Sequence, residues 1–411
     1  MFINSCENTV CKCGRTHDQA TKFAVIERGC LKDFDSYRRS AGLEGACAAI
    51  YDENTYAAVK NHPSADTEII LPPENLHANE RAVDMTLAKL KGDEKYLIAV
   101  GSGTIHDITR YCAHKLGIEF VACPTAASVD GFCSSVAAMT WNGAKCTFPA
   151  IPPVCVIADV DVIAAAPRYL ALSGFGDMIG KYISLADWKI SVALTGEYYC
   201  ETISSITEKA TADGLACADG LAECTHEVIE KLTYGLIMSG IAMQMIGNSR
   251  PASGAEHHIS HLIETAPESL GVGSDALHGE KVGVATILCS REYHRLVNDP
   301  NVVFGDYPKI KDSDLLEIFG EGYGNEIIRE NSEDSAVGIT AKNFADKFDE
   351  IKKIVSGIPT PEEITDIYRR VGAKTTLSDI GLREDQVDTL LDLSPYMRRR
   401  LTFMRLRRAV K

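Results

Sequence analysis

No run of about 20 consecutive apolar residues occurs in the 411-residue chain, so no helical membrane span is expected. The longest candidate, GLIMSGIAMQMIG (235–247), is short and reads as a buried helix. The leading MFINSCENTVCKCG has neither a basic start nor an apolar stretch, and no secretory signal is expected from it. A basic surplus is also missing. The formal net charge of -15 argues against a general nucleic-acid binder, which needs a basic surface. Small anionic substrates stay open, because one local cluster of Lys and Arg can capture a phosphate on an acidic protein. Repeats and low-complexity tracts are absent as well. What remains is a globular composition, 45% apolar and 24% charged, long enough for two domains and a large core. Fourteen cysteines are scattered through it, and with no export signal they read as reduced thiols in a cytoplasm.

Short apolar segments alternate with helical ones in the first part of the chain. GACAAIY (45–51), TEIILPP (67–73), KYLIAVGSG (95–103), IEFVACPT (118–125) and PPVCVIAD (152–159) have strand character. Helical spacing between them predicts a parallel sheet covered on both faces, a Rossmann-like α/β domain. Asn142-Gly143, inside SSVAAMTWNGAKCTFPA, signals a hairpin. From about residue 166 helical periodicity takes over. The expected organisation is therefore a nucleotide-binding α/β domain over 1–168 and an all-α metal- and substrate-binding domain over 169–411. The acidic stretch 309–346 reads as surface helices and loops. The arginine-rich MRRRLTFMRLRRAVK has Leu401 and Met404 at helical spacing, which predicts a helix packed on the body with its arginines paired to acids.

VGSGTIHD (100–107) places two glycines between a strand and a helix, where backbone N–H groups and the helix dipole favour a pyrophosphate. It is not the GxGxxG form, and the acid that usually follows some 20 residues on is missing. Asp52, in AIYDENT, can instead accept the ribose hydroxyls of NAD, or simply cap the next helix. An acid there should favour NADH over NADPH by repelling a 2′-phosphate. In CPTAASVDGFCSS, Thr125, Ser128 and Ser134 can hold nicotinamide or phosphate oxygens, although turn formation selects the same residues. His106 lines the cofactor cleft or faces solvent.

GFGDMIGK puts Asp177 early in a helix. EHHISH follows, holding three of the eleven histidines within five positions, and His278 lies 17 residues after His261. At 3.6 residues per turn His257 and His261 share a face, whereas His258 turns away and reads as structural. One carboxylate and two or more imidazoles suit a divalent metal with open positions for substrate. Near the N-terminus, Cys6, Cys11, Cys13 and His17 are four residues of metal-ligating type that suggest a small zinc site, but Cys-x-Cys is not a standard zinc knuckle. A loop or strand edge with reduced thiols is the expectation there.

GSGTIHD, PTAASVDG, GFGDMIGK, RPASGAEHHISH and LHGEKVG together resemble the motifs of glycerol-1-phosphate dehydrogenases, over about residues 45–290. These belong to the iron-type alcohol dehydrogenase and dehydroquinate synthase-like superfamily, and the chain length is similar to its bacterial AraM-type branch. The resemblance implies a dehydroquinate synthase-like fold and reduction of dihydroxyacetone phosphate to sn-glycerol 1-phosphate. It implies metal ligands Asp177, His257 and His278, with Asp130, His261 and Asp177 meeting the substrate. NAD(H) or NADP(H) would lie along Asp52, Gly101, Ser102, Gly103, Thr104, Ile105, Thr125, Ala126, Ala127, Ser128 and Ser134. The metal would be nickel or zinc, or iron, and the assembly a cytoplasmic homodimer. Arg250, Lys181 and Lys281 stand beside the motifs as candidates for the phosphate. A glycerol dehydrogenase acting on an unphosphorylated polyol is the first alternative. A dehydroquinate synthase-like lyase is less similar, since such enzymes carry glutamate where Asp177 stands and lack PTAASVDG. A non-catalytic nucleotide- or metal-binding protein is disfavoured by the joint presence of the ligands and the glycine loop.

Overall fold

The computed structural model describes residues 1–5, 10–142 and 144–411. Two compact units are formed, one from Met1–Met178 with Ala212–Asn248, the other from Ile179–Thr211 with Ser249–Lys411.

The first unit is built on a seven-stranded sheet. Its strands are β1 (Phe2–Asn4), β2 (Phe23–Glu27), β3 (Cys47–Asp52), β4 (Thr67–Leu71), β5 (Tyr96–Gly101) and β6 (Glu119–Pro124); a hairpin, β7 (Val136–Trp141) and β8 (Ala144–Pro149), precedes the seventh, β9 (Cys155–Asp159). The order is β1-β2-β9-β6-β5-β3-β4, and only β1 runs antiparallel to its neighbour. All six residues of β5 are buried, as a strand covered on both faces requires. The five expected strands are present, and β1 and β2 come in addition. The apolar run FAVI of β2 is too short for its period to separate strand from buried helix. The expected hairpin forms with Asn142 at φ 50°, and Gly143 lies outside the described residues.

Helices α1 (Phe34–Ser40), α2 (Glu53–Ala58), α3 (Glu80–Leu87) and α4 (Gly103–Leu116) connect the strands, and α5 (Val160–Ala164) follows the last of them, β9. The helix α6 (Arg168–Thr195) opens in this unit, and α7 (Glu201–Ala216) ends in it. The helix α8 (His226–Ile246) belongs to it wholly and packs on β2. The stretch 235–247 is thus the last half of a buried helix, and no described helix is long and apolar enough to cross a membrane. The chain moves from β3 outward to β4, then returns to β5 on the other side of β3. This reversal is a topological switch point at the carboxyl ends of β3 and β5, the place where doubly wound sheets take ligands.

The second unit holds the rest of α6 and the start of α7, then α9 (Ala255–Thr265), α10 (His278–Asn298), α11 (Asp312–Phe319), α12 (Glu321–Glu330), α13 (Ala341–Val355), α14 (Pro361–Val371), α15 (Val387–Leu393) and α16 (Phe403–Leu406). Ile183, Ile259, Leu262, Leu288, Tyr293 and Phe403 are among the buried side chains of its core. Thr340 and Thr360 cap α13 and α14 in reciprocal capping boxes, so local chemistry and packing agree on where these helices start. A boundary at 168/169 would fall at the first turn of α6; the contacts divide the chain inside that helix, because its amino-terminal turns pack on the sheet unit. Leu401 and Met404 are both buried, yet only Phe403–Leu406 is α-helical, followed by a 3-10 turn over Arg407–Ala409. Thr402 caps that short helix, and Arg405 folds back to the carbonyls of Pro395 and Arg398, which holds 398–402 in an irregular path.

Candidate active site

The carboxyl ends of three neighbouring strands carry the expected nucleotide residues. Gly101 ends β5, and a Cβ on it would stand 2.5 Å from that of Ile105, so the turn into α4 admits only glycine. Ser102 and Ser128 join hydroxyls at 2.8 Å, tying the glycine loop to PTAAS, and the Thr125 N–H donates to the Gly101 carbonyl at 2.9 Å. Thr125, Ala126, Ala127 and Ser128 are buried. Beneath them lies Gly174 of α6, where an added Cβ would come 2.1 Å from the Ala127 carbonyl oxygen. Gly103 and Thr104 open α4, whose first N–H groups lack helical partners.

Asp52 ends β3 and caps α2. Its Oδ1 accepts from the N–H groups of Asn54 and Thr55 at 2.8 and 2.9 Å. The capping alternative is therefore realised. The Ser134 hydroxyl is turned onto Val136, accepting from its N–H at 3.0 Å and donating to its carbonyl at 3.1 Å, a turn-forming use. His106 does not face solvent. It is 1% exposed, lies edge-on to Phe132, and shares its Nδ1 proton with the Ser102 carbonyl at 2.9 Å. Burial holds its pKa down at about 3, below the usual 6.5, and the Arg110 charge adds to this against the pull of the Ser102 carbonyl. The unfolded chain takes up this proton below about pH 6.5, whereas the folded one does so only near pH 3. The stabilisation is thus complete above about pH 6.5 and is lost as pH falls toward 3, by roughly 1.4 kcal/mol per pH unit. His106→Gln should flatten the decline of urea-unfolding free energy across that window; an unchanged slope would show that His106 does not carry it.

Asp130 and Asp177 meet within the same unit: the Asp130 N–H donates to Asp177 Oδ2 at 3.0 Å. The Asp130 carboxylate accepts from the Ser239 hydroxyl of α8 at 2.8 Å, which fixes its rotamer in a buried setting.

In the helical unit, α9 and α10 bring three imidazoles together. The ring centres of His257 and His278 are 5.3 Å apart, and His261 stands 6.2 and 6.3 Å from them. His257 Nδ1 lies 2.6 Å from Glu256, and His278 Nδ1 lies 2.9 Å from Glu264. A ring that gives its Nδ1 proton to a carboxylate presents the Nε2 lone pair, the arrangement that orients metal-binding histidines. Glu256 is fully buried and also accepts the Gly254 N–H at 2.9 Å. Burial pushes Glu264 up, but His278, Lys281 and His261 outweigh it and hold the carboxyl well below the usual range. His261 is kept neutral by burial, reinforced by the Arg398 charge. His258 is outside the three-ring group, fully buried, and neither of its nitrogens meets a described partner.

Asp187 positions the helix that carries these rings. Its Oδ2 accepts the Ala255 N–H at 2.8 Å, while Oδ1 accepts from Tyr293 and Phe403. Burial pushes Asp187 up to about 7, with the Phe403 N–H opposing and Glu256 adding. Gly254 is forced by the same packing, since a Cβ there would stand 2.7 Å from Asp187 Oδ2 and from Ser184 Cα. Glu256, Glu264, Asp187 and Ser239 were not singled out from the sequence; the acid adjoining His257 in AEHH is the one signal that pointed to them. Of the cations expected near phosphate, Arg250 pairs with Glu197 at 2.7 Å, Lys281 pairs with Glu264 at 3.2 Å, and Lys181 is fully buried.

Residues 25–167 match the family model described as iron-containing alcohol dehydrogenase. A glycerol-1-phosphate dehydrogenase (NAD(P)+) of Bacillus licheniformis is 38% identical over 299 residues, covering 70% of this chain and 74% of that protein. The enzyme of the same name from Halalkalibacterium halodurans is 32% identical over 407 residues, 96% of this chain and 94% of the relative. Among solved structures, a probable glycerol dehydrogenase from Sinorhizobium meliloti 1021 superposes with a TM-score of 0.60 at 18% identity, covering 91% of this chain and 88% of that one. That likeness concerns the fold, which is dehydroquinate synthase-like as expected. With near-complete coverage at this identity, the chain belongs to the glycerol-1-phosphate dehydrogenase family.

Proposed function

We propose that the chain reduces dihydroxyacetone phosphate to sn-glycerol 1-phosphate with NAD(P)H at a divalent metal held by Asp177, His257 and His278. The observation that carries this is the pair His257–Glu256 and His278–Glu264, two imidazoles oriented by buried carboxylates, in a chain whose relatives bear that enzyme's name. Asp177, on α6, would supply the anionic donor of the set. Carboxylate and imidazole suit nickel, zinc and iron alike, so the donors do not choose among them.

The bound metal would act as a Lewis acid toward the substrate carbonyl, and the reduced nicotinamide would supply the hydride. Asp130, its rotamer set by Ser239, and neutral His261 would receive the substrate hydroxyls. Being neutral, His261 stores no proton to give; it can only relay one, its N–H hydrogen passing to the new alcohol as its other ring nitrogen takes up another. Arg398, whose charge His261 feels, suits an anionic group of the substrate. The cofactor would lie along Asp52, Gly101–Ile105, Thr125–Ser128 and Ser134, with its pyrophosphate at the start of α4.

The test is NADH oxidation by metal-stripped protein after adding nickel, zinc or iron separately, with dihydroxyacetone phosphate and dihydroxyacetone compared. Activity should return with one of these metals and favour the phosphorylated ketone; equal rates would refute the phosphate assignment. Repeating the assay with NADPH tests Asp52, and a preference for NADPH of about tenfold, near 1.4 kcal/mol, would remove it from the ribose site. The scattered reduced thiols support a cytoplasmic setting, and the family resemblance supports a homodimer, which sedimentation of a monomer would exclude.

A further inference from the structure

We propose that Cys11, Cys13 and His17, all in the sheet unit, hold a zinc ion at a site separate from the proposed active-site metal. Cys11 to Thr16 form a tight hairpin between β1 and β2. The Cys11 N–H donates to the Arg15 carbonyl at 2.9 Å, the Gly14 N–H to the Cys11 carbonyl at 2.8 Å, and Val10 bridges Thr16. Gly14 turns the chain at φ 83°, a conformation that favours glycine. The turn puts both sulfurs and the His17 ring on one side, with ligand atoms of the three residues within 4.8 Å of one another.

The histidine is oriented as a metal ligand would be. Its Nδ1 lies 2.9 Å from the Met245 carbonyl at the end of α8, which accepts only, so Nδ1 carries the proton and Nε2 the lone pair. That Nε2 is the atom facing Cys13 Sγ, at 3.2 Å. Two ligands of one tetrahedral zinc, with bonds near 2.3 Å to sulfur and 2.0–2.1 Å to nitrogen, stand about 3.5 Å apart. Two thiolates and one imidazole are the kind of donor set that zinc takes. Cys6, the remaining candidate from this segment, lies outside the described residues.

The experiment is metal analysis of the protein purified without chelator, alongside His257→Ala, Cys13→Ser and the double variant Cys11→Ser/Cys13→Ser. About one zinc per chain should persist in His257→Ala and disappear from both cysteine variants. Cobalt substitution of the unmutated chain gives a second readout that does not depend on how the variants fold. Thiolate-to-cobalt charge-transfer absorption should appear, and it should survive His257→Ala, because the proposed active-site ligands contain no sulfur. Absence of that absorption, or zinc that stays in the cysteine variants and leaves with His257, overturns the proposal without touching the assignment of the active site.

Discussion

His257→Ala is expected to leave the protein folded, without its active-site metal, and reduced in kcat/KM by about a thousandfold or more. The imidazole donates its Nδ1 proton to Glu256, a fully buried carboxylate whose place is fixed by the Gly254 N–H. Removing the ring takes away one ligand of three and leaves Glu256 short of a partner, so both metal affinity and the electrostatic stabilisation it supplies are lost. Glu256→Gln should be milder, weakening metal binding by roughly 10–100-fold, because the amide still fills the space but orients the ring less firmly. His258→Ala should keep its metal. Being fully buried, it should lose stability instead, by about 2 kcal/mol, as other large-to-small core changes do. Metal content of the three variants checks all of this in one series. If His258→Ala lost the metal and His257→Ala retained it, the assigned helical register would be wrong.

Arg405→Ala should cost stability rather than chemistry, by about 3–5 kcal/mol in urea unfolding. Arg405 and Asp334 form an ion pair at 2.8 Å with side chains 0% and 2% exposed. The guanidinium also donates to Asn331 Oδ1 and to the Arg398 carbonyl, and Asp334 accepts the Tyr307 hydroxyl and the Ala336 N–H. Alanine at 405 would strand a carboxylate out of water and release several carbonyls at once. Replacing both partners by apolar residues should recover much of the loss, because the penalty lies in the uncompensated charge. A loss below about 1 kcal/mol for the single variant would mean that water reaches Asp334.

These two residues show what a sequence discloses and what it withholds. His257 was legible because its partner in the pattern, His261, lies one helical turn away, and because five motifs occur in a known order. The strands β3 to β6 and β9 were legible as apolar runs separated by helical stretches. Arg405 was legible only as a cation that would pair somewhere, since Asp334 is far along the chain and only the fold chooses it. Asp52 and Ser134 are instructive in another way. The residue types that hold a cofactor also cap helices and close turns, and each of them does the local task here. Glu256 and Asp187 escaped notice because an acid beside a helix reads as solvated surface until burial is known.

The chain passes between the two compact units three times, at 178/179, 211/212 and 248/249. No single cut can therefore release either unit as one continuous polypeptide. A fragment ending at residue 168 would lack α8, leaving β2 without the helix that packs on it, and a fragment starting at 169 would carry α8 with no sheet to receive it. Dissection, circular permutation and domain exchange in this fold must respect three junctions rather than one.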